Sequence, residues 1–332
     1  MKLNHIAKFI RFIYCLSICV CLFSCKKEKS QHLSPLLIAD TGEDVLLHEF
    51  EILSDNVWIA CGGIRDERGV ICRSIDGGRT WTSVEMNEHR SVYCFEFLND
   101  SVAFCGGDFL HLWKTEDAGK TWEFYWLGDQ VPIHEEDRPG IKDFHFVNDS
   151  VWYFCGGENL GEGIVYETKD SGYHWQFIFK QHEYRDLTFF DSTNAIATGH
   201  GSVMLIPGAI ASQQAADFEG DFITSSVAID NQSAIGVSYN GGIYRSNNRG
   251  QNWSRIDGVN TPFSRRTLWN DIDSNGTYLC AVGNDGRMAE SFDSGNAWNY
   301  FSVDSNPNLL SVKVQGMNVY ATTSTGLVLQ LR

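Results

Sequence analysis

The chain has 332 residues, with 26 Lys and Arg against 42 Asp and Glu, ten Cys and a formal charge of −16. Hydrophobic residues at 43% and aromatics at 13% supply a core, which excludes wholesale disorder. The charge argues against a duplex nucleic-acid binder, whose affinity comes from Lys and Arg neutralising phosphates, and no apolar run reaches the ~20 residues that span a bilayer.

Lys2, Lys8 and Arg11 make a basic start with no acidic residue before Glu28, and Phe12 to Phe23 is apolar. That is the layout of a secretory signal, too short to be a spanning helix. The run ends Leu22-Phe23-Ser24-Cys25, which resembles the lipobox of bacterial lipoproteins: Leu at −3, a small residue at −1, then the cysteine that is lipidated. Phe23 at −2 is bulkier than that pattern usually carries. The resemblance implies a signal peptide over 1–24, lipidation at Cys25, a lipidated tether over 25–35 and a bacterial cell-envelope location with the membrane as one partner. Cleavage there removes three basic residues and no acidic one, taking the charge from −16 to −19. Lys26, Lys27 and Lys29 make the tether basic, unlike the acidic runs that mark surface export, so a periplasm-facing anchor is expected.

Beyond the signal six cysteines remain: Cys61, Cys72, Cys94, Cys105, Cys155 and Cys280. Three recur as Cys-Gly-Gly, at Cys61, Cys105 and Cys155, in equivalent repeat positions too far apart to bond. No pair has the CxxC spacing of a metal or redox site, so they read as small buried hydrophobes, with a Cys61–Cys72 bridge left open. No metal and no cofactor is expected.

From Asp44 onward the sequence repeats itself. Ser74-Ile75-Asp76-Gly77-Gly78-Arg79-Thr80-Trp81 is matched by Thr115 to Trp122, Thr168 to Trp175, Ser246 to Trp253 and Ser291 to Trp298. The shared pattern is Ser/Thr-x-Asp-x-Gly-x-x-Trp, carried by Asp76 and Trp81, Asp117 and Trp122, Asp170 and Trp175, Asn248 and Trp253, and Asp293 and Trp298. It resembles the Asp-box, or bacterial neuraminidase repeat, in which these residues are structural. The tryptophans are 41, 53, 78 and 45 residues apart. The long interval implies a unit without the motif between Tyr184 and Gly220, in which Phe190 aligns with Phe146. A last unit, Leu310 to Leu331, has its early strands only.

Each unit reads as four short strands with Gly-rich turns, the signature of a β-propeller blade. The expected fold is all-β: one seven-bladed propeller over residues 36–332, closed by Leu36 to Ala39 as the outer strand of the last blade. In each motif the Gly permits positive φ, the Asp accepts hydrogen bonds from turn amides and the Trp packs between sheets.

No P-loop, nucleophile elbow, His-Glu-x-x-His or EF-hand loop is present. Sialidases need an arginine cluster and an Arg-Ile-Pro-like motif; Ile64-Arg65-Asp66 lacks the proline. The sequence is more similar to the photosystem II stability/assembly factor-like propellers, in Ser-Val-Trp followed by Gly-Gly and then Ser-x-Asp-Gly-Gly-x-Thr-Trp. That resemblance implies a protein-binding scaffold or assembly factor. The alternative is a glycan-binding or glycoside-hydrolase propeller.

Aligning the units on Phe97, Phe146, Phe190 and Ile272 places basic residues just before several innermost strands: Arg90, Arg138 with Lys142, Arg185, and Arg265 with Arg266. These are the expected ligand-binding residues, a basic patch at the channel mouth suited to an acidic or carboxylate epitope on a protein partner, with a glycan as the alternative ligand. The competing reading pairs them locally with Glu88, Glu135, Asp137, Glu183 or Asp186. An acidic loop, Gly128 to Gly140, accounts for the 53-residue spacing.

Overall fold

The computed structural model describes residues 30–86, 89–127, 139–158, 163–181, 183–200, 202–207, 212–214, 221–257, 262–263 and 268–332. Cys25, Arg138, Arg265, Arg266 and most of the acidic loop lie outside the described residues. Among those described there is no α-helix; a 3₁₀ turn spans Asp108–Leu110, and no helix is long and apolar enough to cross a membrane.

The strands form seven sheets, six of four strands and one of five. In chain order the first strands of the sheets are Leu46–Ile52, Val92–Phe97, Gly140–Phe146, Tyr184–Asp191, Ile223–Ala228, Trp269–Ser274 and Leu309–Gln315. Each sheet is an antiparallel meander outward from that strand. Consecutive first strands pack against one another, and that of the seventh sheet packs against that of the first. The seven therefore surround one axis, which makes the molecule a β-propeller.

The N-terminal segment joins two sheets at their outer edges. Leu37–Asp40 pairs antiparallel with Leu327–Gln330 of the seventh sheet, and Gln31–Leu33 pairs parallel with Phe301 to Val303 as a fifth strand of the sixth. The stretch read from sequence as a tether over 25–35 thus gives residues 31–33 to a sheet. A run of Gln, His and Leu carries no periodic signal of its own, and the sheet edge supplies what holds it.

The repeat turns follow from their residues. In the first, Asp76 accepts hydrogen bonds from the N–H groups of Arg79 and Thr80 at 3.0 and 2.9 Å and from the Thr80 hydroxyl at 2.7 Å. Gly78 N–H donates to Ser74 Oγ at 2.9 Å. Asp117 repeats these contacts with Lys120 and Thr121. In the third turn His174 stands where threonine does, its ring Nδ1 2.6 Å from Asp170, and Asn248 accepts from Asn252 N–H through its amide oxygen. Gly78 and Gly172 have φ of +79° and +84° and would each push a Cβ into the ring of Trp58 or Trp152. The residue before each Gly is left-handed too, at Ala118, Ser171, Arg249 and Ser294 without being glycine.

Each repeat turn is bonded to the first hairpin turn of its own sheet, for example Ala118 N–H to Ser101 O at 2.9 Å and Ser294 N–H to Thr277 O at 2.9 Å. All such turns therefore share one face, the turn face, and the first strands begin on the opposite one. The tryptophans pack between sheets: Trp122 joins Ile59, Ile71 and Phe95 of the first two sheets, and Trp175 joins Phe104, Phe144 and Phe154 of the second and third. Trp113, Trp152 and Trp269 are buried, as are all six described cysteines, each a free thiol.

Candidate functional site

The axial cavity opens on the face where the first strands begin. All seven of those strands carry a bulge near that end, with register shifts at Leu47/Glu49, Val92/Cys94, Ile141/Asp143, Tyr184/Asp186, Ile223/Ser225, Trp269/Asp271 and Leu309/Val312. A bulge sets two residues against one, bends the strand and re-aims its side chains. Consequently His48, Tyr93, Lys142, Arg185, Thr224 and Asn270, as well as most of the residues that follow them, line one cavity of about 300 Å³.

Lys142 and Arg185 hold equivalent bulge positions in neighbouring sheets. The Lys142 ammonium lies 3.3 Å from the centre of the Tyr93 ring, a cation–π contact, and it makes no ion pair among the described residues. Burial lowers its pKa to about 8, against the pull of Glu183 and Asp108. Arg185 pairs with Glu183 at 3.0 Å and lies over the Phe222 ring at 5.3 Å. Phe222 in turn stacks on Tyr239, centroids 4.9 Å apart, and Tyr239 is exposed. Burial and Lys142 together hold His48 neutral, at about 3.

Arg90 is placed differently. It precedes its bulge by several residues, pairs with Asp66 at 2.7 Å and covers the Phe109 ring at 4.1 Å. Arg65, beyond Asp66, pairs with Glu158. The structure thus brings Lys142 and Arg185 together at the mouth and sets Arg90 on its rim. The bulges also correct the alignment of units: Phe146 is equivalent to Phe97 and Phe189 rather than Phe190, and Ile272 is equivalent to Phe95. Counting residues from an aromatic cannot detect an inserted one, because the bulge changes register without changing composition.

Sequence reasoning missed the inside of the cavity, where carboxylates tie neighbouring sheets together. Glu49 accepts Phe95 N–H at 2.8 Å, Glu96 accepts Phe146 N–H at 2.9 Å, and Asp143 accepts Leu187 N–H at 2.6 Å. Asp186 accepts Ser226 N–H at 3.2 Å. Asp271 accepts Ser225 Oγ–H at 2.8 Å on one side and Val312 N–H at 2.8 Å on the other. Lys313 of the seventh sheet pairs with Glu51 of the first. Every joint of the ring has such a pin. The signal was available in the residue after each bulge: Glu49, Cys94, Asp143, Asp186, Ser225, Asp271 and Ser311.

Desolvation raises the pKa of these acids, Glu49 to about 8 and Asp186 to about 7. Asp143 is raised by burial and by Asp186, and Asp271 and Asp273 by burial first. Lys313 is raised by Glu51 and Asp273 against its own desolvation. Raised carboxyls in a cavity are the usual mark of a general acid. Here each accepts a main-chain N–H of the next sheet, so the arrangement holds joints.

Comparison with known proteins bears on the fold. No protein-family model and no curated protein matches the sequence. Among solved structures, "YCF48 bound to D1 peptide" superposes with a TM-score of 0.71 at 14% identity, covering 94% of this chain and 99% of that one. YCF48 from Cyanidioschyzon merolae gives 0.66 at 16% identity over 87% and 96% of the two chains. The WD40 β-propeller domain of Doa1 gives 0.65 at 11% over 90% and 96%. These likenesses establish the propeller fold.

Proposed function

We propose that the protein is a lipid-anchored propeller of the bacterial cell envelope that binds a protein partner at its cavity mouth, as a scaffold or assembly factor. The observation that carries the reading is the placement of Lys142 and Arg185 at equivalent bulges over one cavity, Lys142 without an ion pair among the described residues. A lysine amine and an arginine fork side by side suit a carboxylate, so the ligand is an acidic or C-terminal segment of a polypeptide. Arg90, Arg138, Arg265 and Arg266 extend the positive rim in this reading. The bound D1 peptide of the YCF48 neighbour supports a peptide as the ligand class.

The ring in this reading is seven-bladed and closed by residues 37–40, which the sheet count and the pairing with Leu327–Gln330 support. The lipobox-like Leu22 to Cys25 supports the anchor and a periplasm-facing attachment. The test is affinity capture from the native membranes after light cross-linking, with the natural chain beside a Lys142→Glu, Arg185→Glu variant. A defined protein captured by the first and lost by at least tenfold from the second is the expected result. A partner indifferent to both charges overturns the mouth as the binding face.

A second reading, glycan binding at the same mouth, is favoured by the exposed Tyr239 ring stacked on Phe222, a platform on which a sugar ring can stack. Retention on a glycan array that is lost with Tyr239→Ala and kept with the charge variant selects it.

A further inference from the structure

The two N-terminal strands fix how the chain arrives at the ring. Gln31–Leu33 runs parallel to Asn299–Val303, and that strand leaves the repeat turn of the sixth sheet, so its N-terminal end points toward the turn face. Cys25 is six residues before Gln31, a reach of about 20 Å at full extension. A lipid on Cys25 therefore ties the turn-face edge of the sixth sheet close to the membrane.

The same edge is where apolar side chains collect. Of the eleven exposed large apolar residues among those described, five lie on the sixth and seventh sheets: Leu36, Leu37, Ile38, Phe292 and Met317. Phe292 follows Ser291 in the repeat turn and Met317 is in the first hairpin turn of the seventh sheet, so both are on the turn face. Leu36 N–H donates to Gln330 O at 2.7 Å, where the outer strand starts from that face. Between them lies the end of the seventh sheet: the Arg332 guanidinium is 5.9 Å from the Phe292 ring and is paired with the buried Glu290, and the Arg332 carbonyl accepts Val319 N–H at 3.2 Å. Single exposed apolar residues are ordinary; a group of them on one edge is a surface with a use.

We infer that the turn-face edge of the sixth and seventh sheets rests on the bilayer that holds the Cys25 lipid, leaving the cavity mouth open to the aqueous side. The inference rests on the lipid-anchor reading. The occupant is the phospholipid surface, whose acyl chains meet Leu36, Ile38, Phe292 and Met317. A patch this small on a chain whose charge is −19 once cleaved before Cys25 does not bind a membrane unaided; it orients a protein that is already anchored, the second of two weak signals.

The experiment uses the mature, full-length protein reconstituted in phosphatidylethanolamine–phosphatidylglycerol vesicles carrying a diazirine-tailed phospholipid, with photo-cross-links mapped by mass spectrometry. Cross-links are expected on Leu36 to Ile38, Phe292 and Met317 and none on Arg185 or Tyr239. A Phe292→Asp, Met317→Asp variant is expected to lose them at least fivefold at unchanged circular dichroism. Cross-links on Arg185 or Tyr239, or none on the sixth and seventh sheets of an acylated chain, overturn the orientation while the anchor stands. The mass of the N-terminal peptide from the same sample reads the anchor separately: a Cys25 without acyl chains overturns the anchor and this inference with it.

Discussion

Replacing Glu49 with Gln tests whether the cavity acids are held neutral by burial. The Glu49 carboxylate accepts Phe95 N–H at 2.8 Å, a bond an amide oxygen can keep. Burial raises its pKa from 4.5 to about 8, against the pull of that bond and of Lys313. A raised folded-state value means stability fully present below the unfolded value and lost as pH rises through the folded one. Between pH 5 and 7 the loss is up to about 3 kcal/mol at 1.36 kcal/mol per unit. Because Glu49 is only partly buried, screening reduces this to roughly 2 kcal/mol. Glu49→Gln carries no titration, so it is expected to match the natural chain at pH 5 and to exceed it by roughly 2 kcal/mol at pH 7. Guanidinium unfolding followed by tryptophan fluorescence at the two pH values measures the difference. A variant less stable than the natural chain by the same amount at both would mean that Glu49 is ionised throughout, and the desolvation argument would fail.

Three further outcomes are expected. Gly78→Ala is destabilised by roughly 2–5 kcal/mol, from its left-handed φ and from a Cβ 2.5 Å from the Trp58 ring. Gly42→Ala, with the same φ of +79° and open space around it, loses only about 1–2 kcal/mol, and equal losses in urea titrations would remove the packing contribution. Capture of the partner weakens as pH rises through about 8, where Lys142 loses its charge; a Lys142→Met chain should bind weakly and without that pH dependence, and an unchanged profile would take Lys142 out of the contact. The six thiols, all buried and raised by desolvation where a shift is resolved, should resist a disulfide reagent in the native protein and all react in denaturant.

The scaffold was legible because its residues recur. Five copies of a short motif fix where the third strand ends and the fourth begins, and the same Asp contacts appear at Asp76 and Asp117 down to 0.1 Å. His174 in place of threonine is also intelligible, since its ring nitrogen meets the same carboxylate oxygen. The joining of Gln31–Leu33 to the sixth sheet was not legible, because a parallel edge strand is held by its neighbour's backbone. Among the basic residues that are described, the sequence equated positions that differ: Lys142 and Arg185 share one, and Arg90 does not.

The bulge explains both the error and the division of labour inside the ring. At the bulges of the first, third and fourth sheets one residue faces the mouth and the next faces the joint, whereas in the fifth and sixth Thr224 and Asn270 themselves donate across the joint, to Trp269 O and Leu309 O. The bulge residues differ in chemistry from sheet to sheet: His48, Tyr93, Lys142, Arg185, Thr224, Asn270 and Leu310. The joint residues run through Glu49, Asp143, Asp186 and Asp271, with Cys94, Ser225 and Ser311 between them. Only a small or hydrogen-bonding side chain fits beside the neighbouring strand, whereas the mouth is open and imposes no such restriction. Adjacent residues should then respond oppositely. Arg185→Ser should abolish capture of the partner with little change in unfolding, and Asp186→Ala, which removes the acceptor of Ser226 N–H, should cost about 1–3 kcal/mol while the folded fraction still binds. If both substitutions move stability alike and binding alike, the bulge does not separate the two tasks, and the mouth is part of the scaffold.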